Sequence, residues 1–226
     1  MKNSFYFLIF VFGMCIGSFL NCVIYRLEQK KSLSGRSFCP RCKHVLSWQD
    51  LIPVFSFLFL RGKCRYCKAK ISAQYPIVEI TTGVIFLLIL NRFGVIPSLT
   101  GNPEFVYSPW IPAFAGMTIY LIFLFYIASA LIIIFIYDLK HYIIPDKVLF
   151  PAIAITLVYR IFENLIIVSF IENWSLKIEN FAPLGNYFLA ALVGSGFFLL
   201  IFLISGGRWM GFGDVKLAVL MGLLLG

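Results

Sequence analysis

A chain of 226 residues that is 61% hydrophobic, 13% charged and has a mean hydropathy of +0.92 is too apolar for a soluble domain. Soluble domains carry about 25% charged residues and bury their apolar ones in a single core. The formal net charge of +9 would suit a nucleic-acid partner, but the basic residues are spaced as a membrane topology signal, which excludes that reading. The composition predicts an all-α polytopic membrane protein whose 25 Phe, 11 Tyr and 4 Trp face lipid or anchor at the interfaces.

Runs of about 20 apolar residues mark the spans in chain order. The first covers roughly 4–25, the second 76–96, the third 118–137, the fourth 148–171 and the fifth 184–204. The fourth contains the polar interruption YRIFEN. A sixth segment opens at Lys216 and reaches Gly226, too short to cross, so it reads as an incomplete or re-entrant last segment. The first segment does not read as a secretory signal, because no A-x-A-type cleavage site follows it and a dense basic stretch does.

The stretch 26–75 holds 11 of the 19 Lys and Arg residues. By the positive-inside rule it is cytoplasmic, with the N-terminus outside. Counting spans from there also puts 138–147 and 205–216 inside, which brings the cytoplasmic share to 15 of 19 basic residues. The stretches 97–117 and 172–183 then lie outside, the former an irregular connector rich in Pro and Gly. No internal repeat is evident.

The basic stretch carries FCPRCKHVLSW and GKCRYCKAKIS, so Cys39, Cys42, Cys64 and Cys67 form CxxC-x21-CxxC. Two such knuckles bring four thiolates to the corners of a tetrahedron, the arrangement of a closed structural zinc site. A pair of disulfides is the alternative, and a reducing cytoplasm disfavours it. Such a metal would stabilise a segment with too few apolar residues for its own core. Cys15 and Cys22 fall within the first span and read as packing residues.

Only ten residues are acidic. Asp138 follows the third span in YDLKHYIIPDKV, Asp146 opens the fourth, and Asp214 sits in GFGDVKL at the start of the sixth. Span parity puts all three on one side of the membrane. Asp138 lies at a helix C-terminus, where the dipole opposes its charge, and Asp214 near a helix N-terminus, where the dipole favours it. Two carboxylates sharing a proton can activate water and protonate a carbonyl oxygen, as in aspartic proteases. Gly211 and Gly213 offer positive φ or close approach to a substrate strand. Other roles stay open at each position. Asp214 also suits a helix cap, Asp138 a solvated boundary charge, and Asp146, after Pro145, a cap or turn. Glu79, inside the second span, either snorkels to the interface or meets a substrate or cofactor. His141 reads as a surface residue.

Four stretches, GSFLNCVIYRL (17–27), the module over 39–79, YDLKHYIIPDKV (137–148) and GFGDVKL (211–217), resemble the prepilin leader peptidases of type IV pili and type II secretion. These are GxGD-type aspartic proteases of the bacterial inner membrane. The resemblance implies that Asp138 and Asp214 are the catalytic dyad. It implies cleavage of the basic leader of type IV prepilins or pseudopilins at a Gly–Phe-type junction on the cytoplasmic face. The tetracysteine module is associated with members that also methylate the new N-terminus with S-adenosylmethionine, so it implies both that activity and a structural Zn2+. The expected organisation is a first helix (1–25), a cytoplasmic zinc module (26–75) and a peptidase domain (76–226) that appears truncated. A leader held near a basic module implies that anionic lipid headgroups, rather than that module, attract it. The rival readings are an inactive truncated homologue, a zinc-stabilised assembly factor, and a transporter. A transporter would need a broken helix near the bilayer midplane, and none is evident.

Overall fold

The computed structural model describes residues 2–92, 110–173 and 184–226. Among them are seven α-helices and no strand beyond two isolated bridges: α1 (Lys2–Glu28), α2 (Phe55–Phe59), α3 (Gln74–Arg92), α4 (Trp110–His141), α5 (Asp146–Asn173), α6 (Leu184–Ser205) and α7 (Phe212–Leu225). Five of these helices are long and apolar enough to cross a membrane, namely α1, α3, α4, α5 and α6. The expected all-α multi-span architecture is therefore present.

Helix ends differ from the apolar runs where polar residues continue the helix. Helix α4 begins at Trp110, inside the stretch expected to be an irregular connector, and Pro112 is tolerated there because it falls in the first turn, where its missing N–H costs nothing. Residues 97–109 and 174–183 of the two expected exterior connectors lie outside the described residues. At its other end the same helix runs to His141, so Asp138 lies in its last turn rather than beyond it.

The chain forms two compact units, Met1–Ile133 and Ile134–Gly226. In the first, α1 and α3 approach closely through small residues. A Cβ added at Gly13 would stand 2.7 Å from Gly83 Cα, and one at Gly17 would stand 2.7 Å from Glu79 Cα. Gly13 and Gly17 are a GxxxG pair, which lets helix backbones meet where lipid offers no hydrophobic drive. Thr82 sits at the crossing with its hydroxyl donated to its own helix at Val78 O, 2.7 Å away. The first part of α4 joins through Phe125, stacked on Phe86 at 4.1 Å.

Polar residues in α1 fold the chain that follows it. Arg26 is buried, and its guanidinium donates to the carbonyls of Ser32, Ser34, Gly35 and Arg36 at 2.6–3.3 Å. Asn21 donates to Tyr75 O at 3.1 Å, tying α1 to the start of α3.

In the second unit α7 packs on α5 and α6, with Leu149, Ala152, Thr156 and Leu220 fully buried. A Cβ at Gly222 would overlap the Ala191 backbone of α6. The polar interruption in α5 is satisfied. Arg160 donates to Leu223 O (3.1 Å) and Leu224 O (2.6 Å), pairs with Glu163 (2.7 Å) and lies 4.0 Å from the Tyr187 ring centroid. It supplies donors to the last carbonyls of α7, which have no partners within their own helix.

The close crossing in the first unit is testable. Gly17→Leu should destabilise the chain in detergent by about 1–3 kcal/mol or more, the cost of overpacking. Gly196→Leu, placed where nothing lies within 4 Å, should leave the unfolding midpoint unmoved. Equal midpoints for the two variants would show that the crossing does not depend on glycine.

Candidate functional site

The four cysteines are brought together. Their Sγ atoms all lie within 4.8 Å of one another, with Cys39 and Cys67 at 3.9 Å. Zn–S bonds of about 2.3 Å in a tetrahedron separate sulfurs by about 3.8 Å, so the set fits a zinc ion once the wider pairs draw in by up to about 1 Å. All six cysteines are free thiols, against the disulfide alternative.

Each knuckle is built the same way. Cys39 N–H donates to His44 O and Lys43 N–H to Cys39 O; Cys64 N–H donates to Ala69 O and Lys68 N–H to Cys64 O. The residue after the second cysteine of each, Lys43 or Lys68, takes positive φ, 60° and 58°. The two segments thus form a short structural repeat that composition hides, because only the cysteines and the lysine after each CxxC coincide. Burial alone would raise the Cys39 thiol, but backbone hydrogen bonds from Cys42 and Arg41, with the Cys42 and Cys64 thiols, outweigh it and bring Cys39 down to about 7.

A residue the sequence reading passed over clasps the module. Asp50 accepts from Ser47 N–H (3.1 Å) and Ser47 Oγ (2.9 Å), from Arg65 Nε (2.7 Å) and from Tyr66 OH (3.2 Å). It ties the turn after the first knuckle to the second. Burial would push its carboxyl up; the Ser47 and Arg65 hydrogen bonds overcome that and hold it below the usual carboxylate range. The S-x-x-D spacing of a capping box was the available signal.

The second unit holds the three boundary aspartates. Asp214 is exposed at the third position of α7, and its Oδ2 accepts from Gly211 N–H at 3.2 Å. It is therefore inside the first turn, at the positive end of the helix dipole. The expectation of positive φ at the two glycines fails: Gly211 has φ −81°, and Gly213 is an ordinary helical residue. Gly213 serves close approach instead. A Cβ there would come within 3.1 Å of Ile144 Cβ. Ile144 lies in the short turn between α4 and α5, six residues after Asp138 and buried. That contact packs the turn between α4 and α5 against the first turn of α7.

Asp138 is exposed in the last turn of α4, and no partner holds its carboxylate among the described residues. Asp146, the first residue of α5, does more than cap: Lys216 Nζ donates to both its oxygens, at 2.8 and 3.0 Å. The ammonium also lies 5.2 Å from the Phe150 and 5.3 Å from the Phe212 ring centroids. Lys216 thus joins the N-terminal ends of α5 and α7, two residues from Asp214. His141 is exposed, with its ring 4.6 Å from that of Tyr137.

With two knuckles in one unit and two helix-end carboxylates in the other, comparison with known proteins decides the family. The profile of the bacterial peptidase A24 N-terminal domain matches residues 11–93, and that of the type IV leader peptidase family matches 125–226. The chain belongs to the type IV leader peptidase family. Curated relatives named prepilin leader peptidase/N-methyltransferase include those of Myxococcus xanthus (33% identical over 83% of this chain), Klebsiella pneumoniae (28% over 96%) and Bacillus subtilis (30% over 97%). The chain spans about half of the first relative's length (54%), and 84% and 73% of the other two. No solved structure matches it.

The metal set gives a direct prediction. The purified chain should carry one zinc per tetracysteine set, and Cys39→Ser or Cys64→Ser should lose it. Zinc affinity should fall as pH drops, because protons compete with the metal for all four thiolates, the lowered Cys39 and the raised Cys42 alike. Metal analysis across a pH series checks both, and pH-independent binding would contradict the thiolate ligand set.

Proposed function

We propose that the chain is a membrane aspartic endopeptidase that cleaves the leader of type IV prepilins or pseudopilins, with Asp138 and Asp214 as its catalytic pair. The observation that supports the reading is the contact of Gly213, beside Asp214 in the first turn of α7, with Ile144 in the turn that follows the α4 end bearing Asp138. The relatives, named prepilin leader peptidase/N-methyltransferase, suggest the substrate class.

The helix ends divide the work. Asp214, favoured as an anion by the α7 N-terminus and by the Gly211 N–H, takes a proton from water as that water attacks the scissile carbonyl carbon. Asp138, at a C-terminal end where negative charge is disfavoured, carries the proton given to the carbonyl oxygen. The C–N bond then breaks, and the leaving amine takes a proton from the pair. Lys216 and Asp146 position Asp214 and do not touch substrate.

The same reading includes N-methylation of the new terminus. S-adenosylmethionine would supply an electrophilic methyl group. Cys39, Cys42, Cys64 and Cys67 would hold a structural Zn2+ and take no chemical part. The acids and the cysteine module would face the cytoplasm, as the basic residues of 26–75 suggest.

Prepilin cleavage in membranes tests this. Asp138→Asn and Asp214→Asn should each reduce cleavage by about 10³-fold or more. Asp146→Asn should reduce it less, through loss of the Lys216 clasp, and Glu163→Gln should cleave as wild type. Cleavage that survives either dyad substitution ends the reading. A wild type that does not cleave would favour an assembly factor that keeps the motif.

A further inference from the structure

The first unit contains a cavity of about 340 Å3 between the cysteine module and the helices beneath it. That is within the range of small-molecule sites, about 300–1,000 Å3. Its walls are mainly apolar, with Phe38, Leu46, Leu60, Ile71 and Tyr75 among the lining residues. Ser18 of α1 and Glu79 of α3 line it from the membrane-spanning helices.

Glu79 is 94% buried. It does not snorkel to water. One carboxylate oxygen accepts from Val54 N–H at 2.7 Å, where Val54 has φ 62°. A β-branched residue at positive φ is strained, so that bond helps hold the 48–59 segment over the cavity. A neutral amide would accept the same bond. Ser18 also hydrogen-bonds the Glu79 carboxyl, and among the described residues no Lys or Arg pairs with it.

The other charges around the cavity are differently placed. Asp50 is neutralised by Arg65 at 2.7 Å. Arg41 and Lys70 are exposed at the rim, where water screens them. Cys39 and Cys64 also line the wall, and a four-thiolate set holding a divalent ion would add negative charge there. Glu79 is thus a buried carboxyl in the lining with no basic partner among the described residues.

We propose that this cavity binds an organic cation with an apolar body, its positive charge directed to Glu79. Two sources share this chemistry: the sulfonium of S-adenosylmethionine and the free α-ammonium of a processed peptide N-terminus. The inference deepens the methylating half of the proposed function and rests on that reading, because methylation requires both groups to be bound.

The test reads binding, so it needs no turnover. The zinc-loaded full-length chain in lipid nanodiscs is titrated with two matched pairs. One is S-adenosylmethionine against S-adenosylhomocysteine, its neutral thioether counterpart. The other is a short peptide with a free N-terminal phenylalanine against its N-acetylated form. In wild type the cationic member of at least one pair should bind at least about tenfold tighter than its neutral partner, and Glu79→Gln should abolish that preference. The pair that shows it identifies the source. No preference in either pair, or one that survives Glu79→Gln, overturns the proposal. Where Glu79→Gln fails to retain zinc, Leu60→Trp, which narrows the cavity from its wall, decides in its place: it should abolish binding of the preferred cation, and unchanged affinity overturns the proposal. Prepilin cleavage is measured separately on the same preparation. Intact charge discrimination without cleavage counts against the peptidase reading alone; cleavage without discrimination counts against this site alone.

Discussion

Polar groups set among apolar helices must find donors or acceptors within the protein, because lipid offers none. Arg26 meets four carbonyls of the chain that follows α1, and Arg160 meets the last carbonyls of α7. Glu79 takes the Val54 N–H, Asp214 the Gly211 N–H, and Asp146 the Lys216 ammonium. Each of these contacts joins a helix to a turn or to another helix, so satisfying the polar group also fixes where the chain goes. Asp138 stands apart, exposed in the last turn of α4 with no partner for its carboxylate among the described residues.

The two units are built for different tasks. The first encloses space: two helices in glycine contact, a turn held by Glu79, and a pair of knuckles clasped by Asp50 over an apolar cavity. The second brings helix ends together, through Gly213 against Ile144 and Lys216 against Asp146. Both arrangements depend on small residues where backbones meet, at Gly13, Gly17 and Gly83 in one and at Gly222 against Ala191 in the other.

Much of this was legible in the sequence. Apolar runs located the spans, and the CxxC spacing located a four-thiol set, because both signals are local and repeated. Helix ends were less legible. Asp138 and Asp214 both proved to be inside helices, since a boundary acid and a helix-terminal acid look alike in a string of residues. Of the two roles open to Gly213, positive φ is absent, and only the fold shows that Ile144 needs the space. Asp50 and the Lys216–Asp146 pair carry no apolar period and act across 15 and 70 residues of chain, which a local reading does not see. GMCIG in the first span was a readable signal for the α1–α3 crossing, and it passed as one more stretch of apolar sequence.

The central claim is that Asp138 and Asp214 act as one site. Its most direct measurement is the affinity of two uncleavable prepilin-junction peptides, one with a hydroxyl in place of the scissile carbonyl and one with hydrogen there. A carboxyl pair that shares a proton should prefer the hydroxyl peptide by about 100-fold or more, as transition-state analogues are preferred. Asp138→Asn and Asp214→Asn should each remove that preference while the hydrogen-bearing peptide binds as before. A preference that persists in either variant would show that one carboxylate is enough, and the paired site would be wrong.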